Sequence, residues 1–294
     1  IGFSHTIKDK CLVGLNNRNP TYHDVHLLDL KTGELTLVLE NEGYAGFLAD
    51  DSLQLRWAIR QNEAGGTDMF EIHDGQIAET PRESTGLEDA LTTGVAGYTT
   101  DGSTLYWIDS RGRDTAAVIA EDTASGEKRV IAENDKADIG GTLRHPTTGV
   151  VQGYVVDYLK PEKVAFDEGL KASLDWLAER LPGEFGISAR TDDDSKWIVG
   201  NDPLIGPAVA YLYDRTTQTL TEFYVTRPEL EGAPLQPMHP LEIPSRDGLT
   251  LVSYLTLPPG SDPDGDGKPG AAVPMVLLVH GGPWARDGYG FNRM

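Results

Sequence analysis

The chain has a single cysteine, Cys11, in 294 residues. No disulfide can form within it, so its stability must come from packing. Cys11 follows Lys10 and opens an apolar run, which predicts a small core residue rather than a reactive thiol. Positive charge is scarce as well. Lys and Arg total 25 against 46 Asp and Glu, a formal net charge of −21. Such a surface repels phosphates, so no nucleic-acid partner is expected. No apolar run approaches the ~18 residues of a membrane-crossing helix, and no membrane span is expected. His5, His23, His26, His73, His145 and His239 are scattered without metal-ligand spacing. His23 and His26, three positions apart, would fall on opposite faces of a strand.

What the chain has in quantity is turn chemistry. With 33 Gly, 18 Pro and 39% hydrophobic residues, it reads as a turn-rich globular protein. One polar turn recurs ahead of apolar strands: Asp50-Asp51-Ser52 before LQLRWAI, Asp101-Gly102-Ser103 before TLYWI, Thr147-Thr148-Gly149 before VVQGYVV, and Asp194-Ser195 before KWIVG. The spacings, roughly 50, 47 and 46 residues, lie near the ~40–50-residue period of propeller blades. Lys8-Asp9-Lys10 before CLVGL is a weaker first member. A second turn, Asp- and Gly-bearing, joins strand pairs at Asp29 to Gly33, Asp74-Gly75, Asp122 to Gly126 and Asp214 to Thr217.

Between Asp122 and Asp214 one turn of this series is masked by a helix. Phe166, Leu170, Leu174, Leu177 and Leu181 recur at helical spacing, and Pro182-Gly183 ends the pattern. The helix, near residues 165–181, is expected as an insertion in the fourth unit, against the outside of a blade or a partner domain. Trp176 on it is expected to pack. The fold class that follows is mainly β: a β-propeller with about five blades present, the first incomplete. A seven-stranded sandwich is the alternative, and the ~46-residue period favours blades.

After Leu230 the texture changes. Residues 231–240 form a Pro-rich crossing, which places a domain boundary between 1–232 and 233–294. A hairpin is expected around Ser245-Arg246-Asp247-Gly248. Asp262, Asp264 and Asp266, followed by Gly267, match the opening of a calcium loop. Val273 stands where that pattern needs a bidentate Glu, so a solvated acidic loop is the better reading. No cofactor is expected, and nothing assigns a compartment.

The most telling stretch runs from residue 274 to 292. Residues 275–279, MVLLV, read as a buried parallel strand that breaks at His280-Gly281-Gly282-Pro283. Two glycines there allow backbone N–H groups to approach a bound group closely. A strand ending in HGG suits the oxyanion loop of an α/β-hydrolase, and an ordinary Gly-rich turn is the alternative.

HGGPWARDGYGFN closely resembles the corresponding stretch of the prolyl oligopeptidase family of serine peptidases, in particular its bacterial acylaminoacyl-peptidase-like branch. Residues 233–260, APLQPMHPLEIPSRDGLTLVSYLTLPPG, are similar to that family's lead-in to the hydrolase domain. Residues 19–50 are similar to part of its β-propeller. The resemblance implies a propeller followed by the first strands of an α/β-hydrolase domain, acting on short peptides. It puts an oxyanion-hole donor on the backbone of Gly282 first and Gly281 second, with His280, Pro283 and Trp284 beside the substrate. One such donor is worth about 2.7–4 kcal/mol to a transition state.

One part of the pattern is missing. No G-x-S-x-G nucleophile elbow occurs, and the nearest stretch, Gly186 to Arg190, lacks the closing Gly. In the family the nucleophile, acid and base follow the HGGP strand. The chain is therefore expected to be a fragment, inactive alone and in need of the remainder of the hydrolase domain, from the same parent or another chain. The family also leads one to expect two or three further blades before Ile1. A non-catalytic propeller scaffold and an HGG-type esterase are the other classes.

Overall fold

The computed structural model describes residues 2–282 and 284–292. Its architecture is mainly β, five successive antiparallel sheets that form the blades of a β-propeller, with one α-helix among the described residues. Blade 1 holds β1 (Lys10–Leu15), β2 (Asp24–Asp29) and β3 (Leu35–Leu39), and Gly2 bridges Leu12 on the inner side. Blade 2 holds β4 (Gly46–Ala49), β5 (Leu55–Gln61), β6 (Thr67–His73) and β7 (Gln76–Ile77), with β8 (Glu83–Ser84) also pairing with β6. Blade 3 is β9 (Gly94–Tyr98), β10 (Thr104–Asp109), β11 (Ala117–Asp122) and β12 (Lys128–Ala132). The fourth has three strands, β13 (Ile139–Arg144), β14 (Val151–Asp157) and β15 (Pro161–Ala165). Blade 5 is β16 (Glu184–Arg190), β17 (Lys196–Asp202), β18 (Ala208–Asp214) and β19 (Thr219–Thr226). A hairpin of β20 (Met238–Pro244) and β21 (Thr250–Thr256) follows, turning where the Asp247-Gly248 signal puts it.

The recurring polar turn works through its side chains. Asp101 Oδ1 accepts from Thr99 Oγ1 (2.7 Å) and from the backbone N and Oγ of Ser103 (3.0 and 2.8 Å). Asp193 repeats this with Thr191 (2.6 Å) and Ser195 (3.1 and 2.9 Å). In both, the Thr hydroxyl then accepts the first strand N–H, of Thr104 and of Lys196. The turn therefore satisfies backbone donors at the point where the ladder starts. It needs a left-handed residue, Gly102 (φ 71°) in blade 3 and Asp194 (φ 56°) in blade 5. Asp194 adopts that conformation at some strain, and its buried carboxylate is held by Arg190, Arg215 and Trp197 Nε1.

The helix is α1 (Glu168–Ala178), capped by Asp167 Oδ1, which accepts from Leu170 N at 2.7 Å. It follows β15 and packs against it, so blade 4 carries a helix where blades 3 and 5 carry a fourth strand. Leu170, Leu174 and Leu177 are buried, while Phe166 precedes the helix and is exposed. Trp176 stacks on Tyr213 at 4.9 Å, a packing role.

The chain divides into two compact units, residues 1–154 and 155–294. Within the first, Trp57 and Trp107 meet edge to face at 5.4 Å among Met69 and Leu105. Polar satisfaction is built in: Trp57 Nε1 donates to Tyr98 Oη (2.7 Å), and Trp107 Nε1 to Glu121 Oε2 (2.9 Å). An alternating chain of charges runs beside them, Glu71–Arg82–Glu121–Lys128–Glu83–Arg111–Asp109. Burial alone pushes the Glu83 carboxyl up, and hydrogen bonds from Lys128 and Arg111 more than reverse it. The hydrogen bond to Asp109, partly offset by burial, raises the Arg111 guanidinium further. Cys11 is a buried core residue.

The expected strand at residues 275–279 does not form. Its backbone has no ladder partner, and Met275, Val276 and Leu277 are 81, 91 and 79% exposed. A parallel strand exists only between neighbours that satisfy its N–H and C=O groups, and the described residues present none beside it. Beyond the β20–β21 hairpin, the start of an α/β-hydrolase domain is not shown.

Candidate active site

His280, Gly281 and Gly282 lie in an exposed, irregular segment. His280 Nδ1 is 2.7 Å from the Gly281 carbonyl oxygen. A carbonyl only accepts, so Nδ1 carries the proton in this contact. A Cβ on Gly281 would meet nothing within 4 Å, and one on Gly282 would come to 3.3 Å from Trp284 N. The Gly281 backbone is open, while a side chain at Gly282 would press on the loop's own backbone. Trp284 is exposed, and Pro283 lies outside the described residues.

The residues after the glycines are fixed, which the sequence did not indicate. Arg286 Nη1 donates to the Asp157 carbonyl (2.6 Å), and Nη2 to the Tyr158 carbonyl (2.7 Å) and to Tyr254 Oη (3.0 Å). Lys160 Nζ sits 4.6 Å over the ring of Tyr289. Phe291 N donates to Asp202 Oδ2 at 2.7 Å.

A cavity of about 300 Å³ opens at one end of blade 5, lined by Glu184, Phe185, Asp202, Ala208, Tyr224 and Thr226 among others. Register explains it. Gly186, Gly200 and Ala210 align across three strands, with Glu184 opposite Asp202. Small side chains on one face leave space that the larger rim residues bound. Burial pushes the Glu184 carboxyl up, opposed by Lys163 and Lys160. Burial pushes the Lys163 ammonium down, and it lies 4.4 Å over Phe185. The cavity is acidic at its edge and apolar within.

The acidic loop gathers Asp262, Asp264 and Asp266 with ligand atoms within 4.8 Å of one another. Asp262 already accepts from the backbone N–H of Asp266 (3.1 Å) and Gly267 (3.0 Å).

No family model matches the chain. A dipeptidyl aminopeptidase, BIII, of Pseudoxanthomonas mexicana is 47% identical over 282 residues, 96% of this chain and 41% of that protein. Among solved structures, a puromycin-hydrolysing peptidase of Mycobacterium tuberculosis superposes with a TM-score of 0.55 at 15% identity, over 96% of this chain and 45% of that one. Prolyl oligopeptidase B from Galerina marginata gives 0.53 at 13% identity, over 86% and 37%. The fold is that of peptidase propellers. In sequence the chain is similar to the dipeptidyl aminopeptidase, in fold to the propellers of these peptidases, and it spans about two-fifths of the length of the curated relatives it matches.

Proposed function

We propose that this chain is the propeller and oxyanion-loop portion of a serine peptidase that hydrolyses peptide bonds of short peptides through an acyl-enzyme. The observation that carries the reading is the exposed His280-Gly281-Gly282 loop, carried on a chain 47% identical over 282 residues to a dipeptidyl aminopeptidase. In this reading the Gly282 N–H, with Gly281 second, donates to the oxygen that becomes negative when a Ser attacks the peptide carbonyl. His280, Pro283 and Trp284 border the substrate. Pro283, whose nitrogen carries no hydrogen, adds no competing donor. The propeller admits short peptides, and the Glu184–Asp202 edge of the cavity suits a positively charged end of one.

No G-x-S-x-G elbow occurs in the chain, and in this reading the nucleophile, acid and base follow the HGG loop. The chain alone is therefore inactive, and the domain boundary falls near residue 232. The test is fluorophosphonate labelling of a protein carrying this chain at the full length of its relatives, with the modified peptide located by mass spectrometry. An adduct on a Ser within G-x-S-x-G, with release of product from short peptides, supports the reading. A folded protein that takes no adduct overturns it in favour of a scaffold, and turnover of acyl esters alone favours an esterase.

A further inference from the structure

We propose that Arg286 is a positioning residue of this site, fastening the loop that carries Gly281 and Gly282 to the end of a propeller strand. The inference rests on the oxyanion-loop reading above and adds what holds the loop in place.

The geometry is that of a clamp. Every nitrogen of the guanidinium is used: Nη1 on the Asp157 carbonyl (2.6 Å), Nη2 on the Tyr158 carbonyl (2.7 Å) and Tyr254 Oη (3.0 Å), and Nε on the Asp287 carbonyl (3.2 Å). The first two acceptors are consecutive peptide groups at the end of β14, spanned by a planar fork that a lysine cannot reproduce. Asp157 adds a second reason for the cation. Its Oδ1 atom is buried with no hydrogen-bond partner, and Arg286 Nη2 stands 3.8 Å away. Removing Arg286 would leave that carboxylate oxygen uncompensated.

The clamp matters because of what lies on either side of the glycines. Upstream, residues 275–279 are exposed and have no ladder partner. Downstream, Arg286, Tyr289 and Phe291 are each tied to propeller or hairpin groups. Arg286 is four residues beyond Gly282, so the donor lies within about 14 Å of the fixed point at the most extended. Arg286 thereby sets where the Gly282 N–H can be relative to the end of β14 and to blade 5.

The test uses a protein carrying this chain at the full length of its relatives, assayed with a short peptide substrate. Arg286→Ala is expected to lower kcat by roughly tenfold to a hundredfold, the scale of a misplaced reacting group, while KM changes by less than about threefold. Arg286→Lys should be nearly as poor, and added guanidinium should restore part of the turnover of Arg286→Ala. Hydrogen exchange should quicken at residues 284–292. A lower Tm with unchanged kcat would make Arg286 merely structural and overturn the proposal. Should Arg286→Ala fail to fold, Tyr254→Phe removes one acceptor only. It is then expected to lower kcat about two- to threefold at unchanged Tm, and an unchanged kcat sinks the idea. Gly282→Pro separates the two readings by deleting the N–H itself. If it keeps full turnover, the oxyanion reading fails. If it abolishes turnover while Arg286→Ala keeps its kcat, only the positioning role fails.

Discussion

Two apolar runs in this chain, of similar length and similar greasiness, meet opposite fates. Leu105-Tyr106-Trp107-Ile108 lies in β10, paired with β9 on one side and β11 on the other, and its first three residues are buried. Met275-Val276-Leu277-Leu278-Val279 stands in water. Side-chain apolarity creates a demand for burial in both. Only in the first do flanking strands take up the backbone N–H and C=O groups. A strand is a property of the segment together with its neighbours, and composition reports only half of that.

The largest effect should come from the run that has its neighbours. Trp107→Ala removes a fully buried indole that meets Trp57 edge to face at 5.4 Å. It also removes the N–H that Glu121 accepts at 2.9 Å. A loss of about 3–5 kcal/mol is expected, read from the urea midpoint at constant m-value. A loss below ~1 kcal/mol would mean that the blade 2–3 core is looser in solution than the packing shows.

A smaller effect tests the blade in which a helix follows the third strand. Arg215 Nε donates to Ser173 Oγ (3.0 Å) and Nη2 to the Gly169 carbonyl (2.9 Å), both on α1. Nη1 reaches the Asp194 carbonyl (3.0 Å) and its carboxylate. One side chain therefore ties the helix to the left-handed turn of blade 5. Arg215→Ala should cost about 1.5–3 kcal/mol, and hydrogen exchange should rise through α1 more than through β10. Uniform change across both elements would deny the local tie.

The period was legible because it is written in side chains. Thr, Asp and Ser at fixed offsets build the same turn in blades 3 and 5, and the strands that follow the recurring turn begin at Lys10, Leu55, Thr104, Val151 and Lys196. The helix was legible too, from its leucines. That it packs on β15 where other blades carry a fourth strand was not, since nothing in a helical pattern names its neighbour. The charge chain from Glu71 to Asp109 was not legible, because its members come from five separate segments. At the candidate site the glycines announced themselves by being adjacent. Arg286 did not, because its principal partners are the carbonyls of Asp157 and Tyr158, and a main-chain acceptor leaves no mark in the sequence.

Acid should erode the turns in a defined window. Hydrogen bonds from Thr99 and Ser103 hold the Asp101 carboxyl down to about 2, and those from Thr191 and Ser195 do the same for Asp193. Both values lie below the ordinary 3.8. A lowered folded-state pKa means stabilisation that is fully present above the unfolded value and is lost as pH falls toward 2. Urea midpoints should thus decline between pH 4 and pH 2, as those two values set the limits. Asp101→Asn should flatten part of that decline. An unaltered slope would show that these carboxylates titrate alike in both states.

The smallest effect is the one that decides the comparison. Leu277→Lys puts a charge in the middle of the exposed run, and in this chain it should move the urea midpoint by less than about 0.5 kcal/mol, as surface changes do. The matching change Leu105→Lys, at a position 1% exposed, should prevent folding, since a buried unpaired ammonium has no compensation. If Leu277→Lys is as damaging as a core substitution, the run pairs in solution. If it is silent here and disruptive in a protein of the relatives' full length, then the neighbours, and not the sequence of the run, make the strand. The same pair of measurements then bears on the cause of the exposed HGG loop, because Gly281 and Gly282 follow the run by one residue.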